Sequence, residues 1–185
     1  MGSFILFLGR FNKVKGIDVL INAINLIKNH SEFKKTQLLI MGVDFGYEEE
    51  MLQLIGQYNL QDKIKVIKNP SRKEVISAYN ESEFLVLPSR WELSPLTPLE
   101  GFAFKKPVIS SNVHGIPYTV AHNVNGILVE PENHNELANA IIELLTDKNK
   151  CLTYGNAGYD LVNSICNSTI MSKETLKVYE KTINR

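Results

Sequence analysis

The chain alternates short, unbroken apolar runs with longer segments whose apolar residues recur every three or four positions. The runs "FILFLG" (4–9), "TQLLIMG" (36–42), "KIKVI" (63–67), "FLVLP" (84–88), "PVISS" (107–111) and "GILVE" (126–130) predict strands buried on both faces. Helical spacing fills the gaps between them. In "GIDVLINAINLIKN", Val19, Ala23 and Ile27 form one stripe beside Leu20 and Ile24, and "YEEEMLQLIGQY" opens with acids that suit a helix N-terminus. Ser71 with Glu74 three residues on predicts a capping box for "SRKEVISAYNES". After the last strand come "NELANAIIELLTD" and two more helical segments to Arg185. Such alternation predicts an α/β fold with a doubly wound, mostly parallel sheet of about six strands, joined by right-handed crossovers. A single domain over residues 1–185 is expected, without internal repeats.

Composition narrows the field of partners. With 44% hydrophobic and 22% charged residues among 185, the chain buries an ordinary globular core. Twenty basic and twenty acidic residues cancel, so no overall field favours nucleic acid or an anionic membrane. No apolar run approaches the roughly 20 residues that span a bilayer, and the start lacks the pattern of a signal peptide. Cys151 and Cys166 are too few for a disulfide scaffold and read as packing residues, which favours a reducing compartment, the cytoplasm. His30, His114, His122 and His134 show no metal-ligand spacing, so no metal is expected. Neither a Walker-type loop nor G-x-G-x-x-G is present.

A sheet of this kind binds ligands at the carboxyl ends of its strands, so the residues after each strand are the candidates. "GRFNKVKG" follows the first strand. Gly9 permits close approach, and Arg10, Lys13 and Lys15 precede a helix, a setting that can hold a diphosphate; equally, these cations can pair with surface acids in a solvated loop. "RWELSPLTPLE" follows the fourth. Pro98 suits a first helical turn, which places the helix start near Leu96 or Thr97, with Glu100 in that first turn and Glu92 in the preceding loop. The free N–H groups near Leu96 and Thr97 can receive phosphate oxygens, and Glu100 can accept from the vicinal hydroxyls of a ribose. The plainer alternative has Glu100 complementing the helix dipole and Glu92 facing water. Trp91 can stack on a sugar or cover the strand end.

In combination, "GRFNKVKGIDVLINAI", "LLIMG", "VISAYNESEFLVLPSRWELSPLTPLEGFAFKKPVISSNVHGIP" and "NVNGILVEPENHNELANAI" resemble, in order and spacing, the nucleotide-binding half of family 4 ("group 1") retaining glycosyltransferases of the GT-B fold. The resemblance runs nearly the whole chain. It implies that the donor substrate is a nucleotide-diphosphate sugar of unidentified base and that no cofactor is needed. Arg10 and Lys15 would then hold the diphosphate, Glu100 the ribose, and Glu92 would lie beside the transferred sugar as a positioning and electrostatic group. Ser94, Pro95, Leu96 and Thr97 would contact sugar and phosphate through the backbone, and Ile67, Lys68 and Asn69 would meet the base.

The family's usual glycine between the two acids is replaced here by Leu93, Ser94 and Pro95, and its paired glycines by "HGIPY" with His114 and Tyr118. These departures bear on donor-sugar specificity. The resemblance also implies a partner, an N-terminal acceptor domain outside this sequence, so 1–185 reads as an inactive fragment opened by a vector-like "MGS". Peripheral membrane contact, at the inner face of a membrane, would come through that missing half. The final "SKETLKVYEKTI" is amphipathic and in the family often crosses back to that domain. Two other readings keep the scaffold: a nucleotide-sugar 2-epimerase, and a nucleotide-binding module without transfer.

Overall fold

A computed structural model describes residues 2–183. Six strands, β1 (Ser3–Leu8), β2 (Thr36–Gly42), β3 (Ile64–Lys68), β4 (Leu85–Leu87), β5 (Val108–Ser111) and β6 (Gly126–Val129), form one sheet in the order β3-β2-β1-β4-β5-β6. Every pairing is parallel. The helices are α1 (Ile17–Ile27), α2 (Glu48–Gln57), α3 (Arg72–Glu81), α4 (Leu96–Ala103), α5 (His134–Thr146), α6 (Lys148–Ile165) and α7 (Ser168–Ile183). The expected strands are all present, shifted at their ends by a residue or two.

Alternation along the strands builds two cores. Ile5 and Phe7 of β1 join Leu38 and Ile40 of β2 under α1, α2 and α5. Phe4, Leu6, Leu39 and Met41 face the other way, beneath α3 and α4. Because both faces are covered, each strand reads in sequence as an uninterrupted apolar run. The capping box at α3 is formed: Ser71 Oγ accepts from the Glu74 N–H (3.3 Å), and Glu74 accepts from the Ser71 N–H (2.7 Å). α7 differs from the rest, since none of its residues is buried.

The strand order fixes where a ligand can sit. From β1 the chain winds outward through β2 and β3, then α3 carries it back to β4 on the other side of β1. The loops after β1 and β4 leave these neighbouring strands on opposite faces, opening a crevice between them. Gly16 keeps that crevice narrow. Its φ is 65°, and a Cβ there would lie 2.0 Å from the Pro88 carbonyl oxygen, so only glycine lets the start of α1 approach the end of β4 so closely.

Candidate functional site

The loop after β1 passes through a short 3-10 turn, Lys13–Lys15, whose N-cap Asn12 accepts from the Lys15 N–H (3.1 Å). That turn aims the Lys15 side chain across the crevice, where its Nζ donates to Glu92 Oε1. Ser89 Oγ donates to the same oxygen (2.9 Å). Glu92 is therefore not a water-facing carboxylate: it is 8% exposed and held from two sides. An ammonium has three donors, so Lys15 keeps two for other acceptors. Arg10 stands at the rim, exposed, its guanidinium 5.3 Å from the centre of the Phe45 ring. Among the described residues it has no carboxylate partner. Lys13 is turned away, toward Glu50 (3.8 Å).

Arg90 holds this geometry together. Its guanidinium donates to both carboxylate oxygens of Asp18 (2.8 and 2.7 Å), to the Lys13 carbonyl (2.6 Å) and to Glu132 (3.0 Å), while its backbone N–H donates to the Val14 carbonyl (2.7 Å). One residue thus ties the loop after β1 to the loop after β4, two positions before Glu92. Burial pushes the Asp18 carboxyl up, but the hydrogen bonds and charge of Arg90 outweigh it and hold the group below its ordinary value. The same pairing raises Arg90.

α4 begins at Leu96, as expected, with Pro95 at its N-cap and no side chain bonded to its first N–H groups. One expectation is corrected here: Glu100 lies in the second turn, because four residues, Leu96 to Leu99, already fill the first. Its role as a dipole complement therefore falls away, since that effect fades beyond the first turn. Instead Tyr79 of α3, 2% exposed, donates its hydroxyl to Glu100 Oε2 (2.6 Å). Burial and the Glu100 carboxylate push the Tyr79 hydroxyl well above its ordinary value, so it stays a donor. The Tyr79 ring is stacked on Phe104, with centroids 5.2 Å apart.

The remaining candidates sit around this centre. Asn69 follows β3 with φ 48°, its N–H bonded to the Gly42 carbonyl (2.8 Å), and the Lys68 side chain is turned to Glu48 (2.9 Å). Ser94 is exposed and Pro95 buried. The loop after β5 closes the other flank: Gly115 donates to the Glu92 carbonyl (2.9 Å), and a Cβ there would lie 1.6 Å from the Leu93 carbonyl oxygen. Trp91 is half exposed and meets His114 edge to face, with ring centres 6.0 Å apart. No group of three or more His, Cys, Asp or Glu side chains among the described residues could hold a metal ion.

Sequence reasoning brought Arg10, Lys15, Glu92 and Glu100 forward but passed over Ser89, Arg90, Asp18 and Tyr79. Arg90 stood in the quoted stretch beside Trp91 and Glu92, yet its partner lies 72 residues away and only the folded crevice joins them. Tyr79 carried no signal, since a tyrosine on an amphipathic helix is ordinary core.

A parallel sheet wound in both directions from β1, with the Lys15–Glu92 pair at its crossover crevice, defines a Rossmann-like domain. The chain belongs to the glycosyl transferases group 1 family, whose profile matches residues 1–161, and it carries one half of the GT-B fold. It is 34% identical over 168 residues to an uncharacterised glycosyltransferase of Methanocaldococcus jannaschii, covering 84% of this chain and 42% of that one. Sucrose-phosphate synthase from Thermosynechococcus elongatus superposes with a TM-score of 0.87 at 28% identity, over 99% of this chain and 46% of the synthase. The Anabaena protein HepE, solved with UDP and glucose, superposes with a TM-score of 0.86 at 21% identity, over 96% and 48%, and so speaks to the fold. The chain spans less than half the length of the curated relatives it matches. No helix of the described residues is long and apolar enough to cross a membrane.

Proposed function

We propose that this chain is the donor-binding half of a retaining glycosyltransferase that takes a sugar from a nucleotide-diphosphate sugar. The observation that carries this reading is the Lys15–Glu92 pair spanning the crossover crevice, with the guanidinium of Arg10, which has no carboxylate partner among the described residues, at its rim and the start of α4 without a side-chain cap. In this reading Arg10 and Lys15 bind the diphosphate as charge builds on it during cleavage of the anomeric bond, which stabilises the leaving group without a metal. N–H groups at Leu96 and Thr97 add fixed donors, and the backbone of Ser94 and Pro95 borders the sugar. Glu92, anchored by Lys15 and Ser89, positions that sugar rather than attacking it. The acceptor then adds from the face the leaving group vacates.

Glu100, with one oxygen held by Tyr79, offers the other to the ribose hydroxyls, and Ile67 to Asn69 border the base. HepE, with the same fold, was solved with UDP and glucose, which supports a nucleotide sugar as the ligand class here. Acceptor recognition belongs to a second domain, so the 185-residue chain by itself binds nucleotide and turns over poorly or not at all. The test is calorimetric titration of the chain, without added metal, with UDP, GDP and ADP and one sugar form of each, on wild type, Arg10→Ala and Glu100→Ala. Binding of one nucleotide that weakens by roughly tenfold or more in both variants is expected, about 1.4 kcal/mol or more each. Equal affinity in wild type and both variants would remove these residues from the site, and with them the reading.

A further inference from the structure

The loop after β2, residues 43–47, stands between the loop that carries Arg10 and the 67–69 segment, because β2 lies between β1 and β3 in the sheet. It is bound to both. Phe11, next to Arg10, donates its N–H to the Val43 carbonyl (2.8 Å), and Phe45 donates its N–H to the Phe11 carbonyl (2.9 Å), so the β1–β2 pairing runs on past the strand ends. On the other side the Asn69 N–H reaches the Gly42 carbonyl (2.8 Å), and Lys68 meets Glu48 in the first turn of α2 (2.9 Å). Asp44 closes the loop on itself by accepting from the N–H groups of Gly46 (3.0 Å), Tyr47 (2.9 Å) and Glu48 (3.0 Å).

On this fixed loop Phe45 is 58% exposed and Val43 46%. Single exposed apolar residues are ordinary on a surface, but these two are held out by a hydrogen-bonded backbone at the edge of the crevice. The Arg10 guanidinium lies over the Phe45 ring, 5.3 Å from its centre, and no aromatic ring among the described residues stacks on it. Phe45 therefore adjoins the cation assigned to the diphosphate and precedes, in the sheet order, the segment assigned to the base. A flat apolar ring in that position matches the flat face of a nucleobase. Every base has such a face, so stacking supplies affinity whichever base the donor carries.

We infer that Phe45 is the stacking platform for the nucleobase of the donor, a binding residue additional to the polar set around Lys15 and Glu92. The inference rests on the donor reading above. Arg10 and Phe45 then meet adjacent parts of one ligand, the diphosphate and the nucleoside, and stacking of the base presents the diphosphate to Arg10 and Lys15. A competing role, in which Phe45 only steadies Arg10 through the cation–π contact, differs in one respect: it vanishes when Arg10 is removed.

The test is calorimetric titration of the 185-residue chain with UDP, GDP and ADP, on wild type, Phe45→Ala, Arg10→Ala and the double variant. Phe45→Ala is expected to weaken the nucleotide that binds by roughly tenfold, and by a similar factor again when Arg10 is already alanine. No further weakening in that background would make Phe45 a support for Arg10 and overturn the inference, as would unchanged affinity in Phe45→Ala. Phe45→Trp provides a second readout on a side chain of the same kind. It should keep the affinity and add an indole whose fluorescence the stacked base quenches, beyond any change at Trp91 in wild type; a nucleotide-bound chain in which the new indole is not quenched would also overturn the inference. The two proposals fail differently. If wild type binds none of the three nucleotides, the donor reading falls and the stacking role with it; if wild type and Phe45→Ala bind equally well, the stacking role falls alone.

Discussion

Replacing Arg90 with leucine removes the guanidinium and severs its four hydrogen bonds, two to Asp18 of α1, one to the Lys13 carbonyl and one to Glu132. The Asp18 fork dominates, with side chains 22% and 24% exposed. Breaking a fully buried pair costs about 3–5 kcal/mol, because one charge is left without a partner, whereas exposed pairs contribute about 0–1 kcal/mol. At this depth the loss is about 2 kcal/mol. The bond to the Lys13 carbonyl adds about 1 kcal/mol, and Glu132, 64% exposed, adds little. Arg90→Leu should therefore destabilise the chain by about 3 kcal/mol, a large share of a domain's usual margin of about 5–15 kcal/mol. Arg90→Lys keeps the charge but not the planar fork and should recover less than half of that loss.

Urea unfolding with the slope unchanged measures the difference, and a double-mutant cycle with Asp18→Asn isolates the pair. The acid limb gives the sign. Because the folded Asp18 carboxyl lies below its unfolded value near 3.8, the pair's contribution is complete above that pH and is lost as pH falls below it through the lowered folded value. The gap between wild type and Arg90→Leu should narrow over that window. A loss under about 0.5 kcal/mol, or a cycle in which the two substitutions simply add, would refute the clamp.

Other outcomes follow from the same geometry. Gly9→Ala should leave stability nearly unchanged, because its Cβ would meet only side-chain atoms, the nearest 3.5 Å away, yet it should weaken nucleotide binding by crowding the crevice; calorimetry and thermal unfolding on one sample check both. Tyr79→Phe removes the hydroxyl that orients Glu100, about 1 kcal/mol, and should weaken nucleotide binding about fivefold while the Phe104 stacking survives. Thiol labelling should be fast at exposed Cys166 and slow at Cys151, which is buried and pushed up to about 11; equal rates in the folded chain would contradict the packing of α6.

The placement of Glu100 shows how far sequence reasoning reached. Pro98 located the start of α4 correctly, because proline is restricted to the first turn, but counting from that start puts Glu100 one turn further along than expected. Likewise the cysteines were read as packing residues, which holds for Cys151 in α6, whereas Cys166 caps that helix in solvent. The apolar stripe of the last helix was legible too, yet Met171, Leu176, Val178, Tyr179 and Ile183 are all more than half exposed, and none of the α7 residues is buried.

By itself the sequence determined the element order, the burial of both sheet faces and the loops in which chemistry could reside. These are local properties: apolar period, capping residues, and glycine or proline at turns act within a few residues of themselves. Only the tertiary structure decided which loops meet. The contacts of Lys15 with Glu92, Arg90 with Asp18, and Tyr79 with Glu100 join residues 77, 72 and 21 positions apart. Their pairing depends on strand order, which α3 sets by carrying the chain from β3 past β1 to β4. Hydrogen bonds act over about 3 Å, so a chain's polar chemistry is settled by the neighbours that folding brings within that distance.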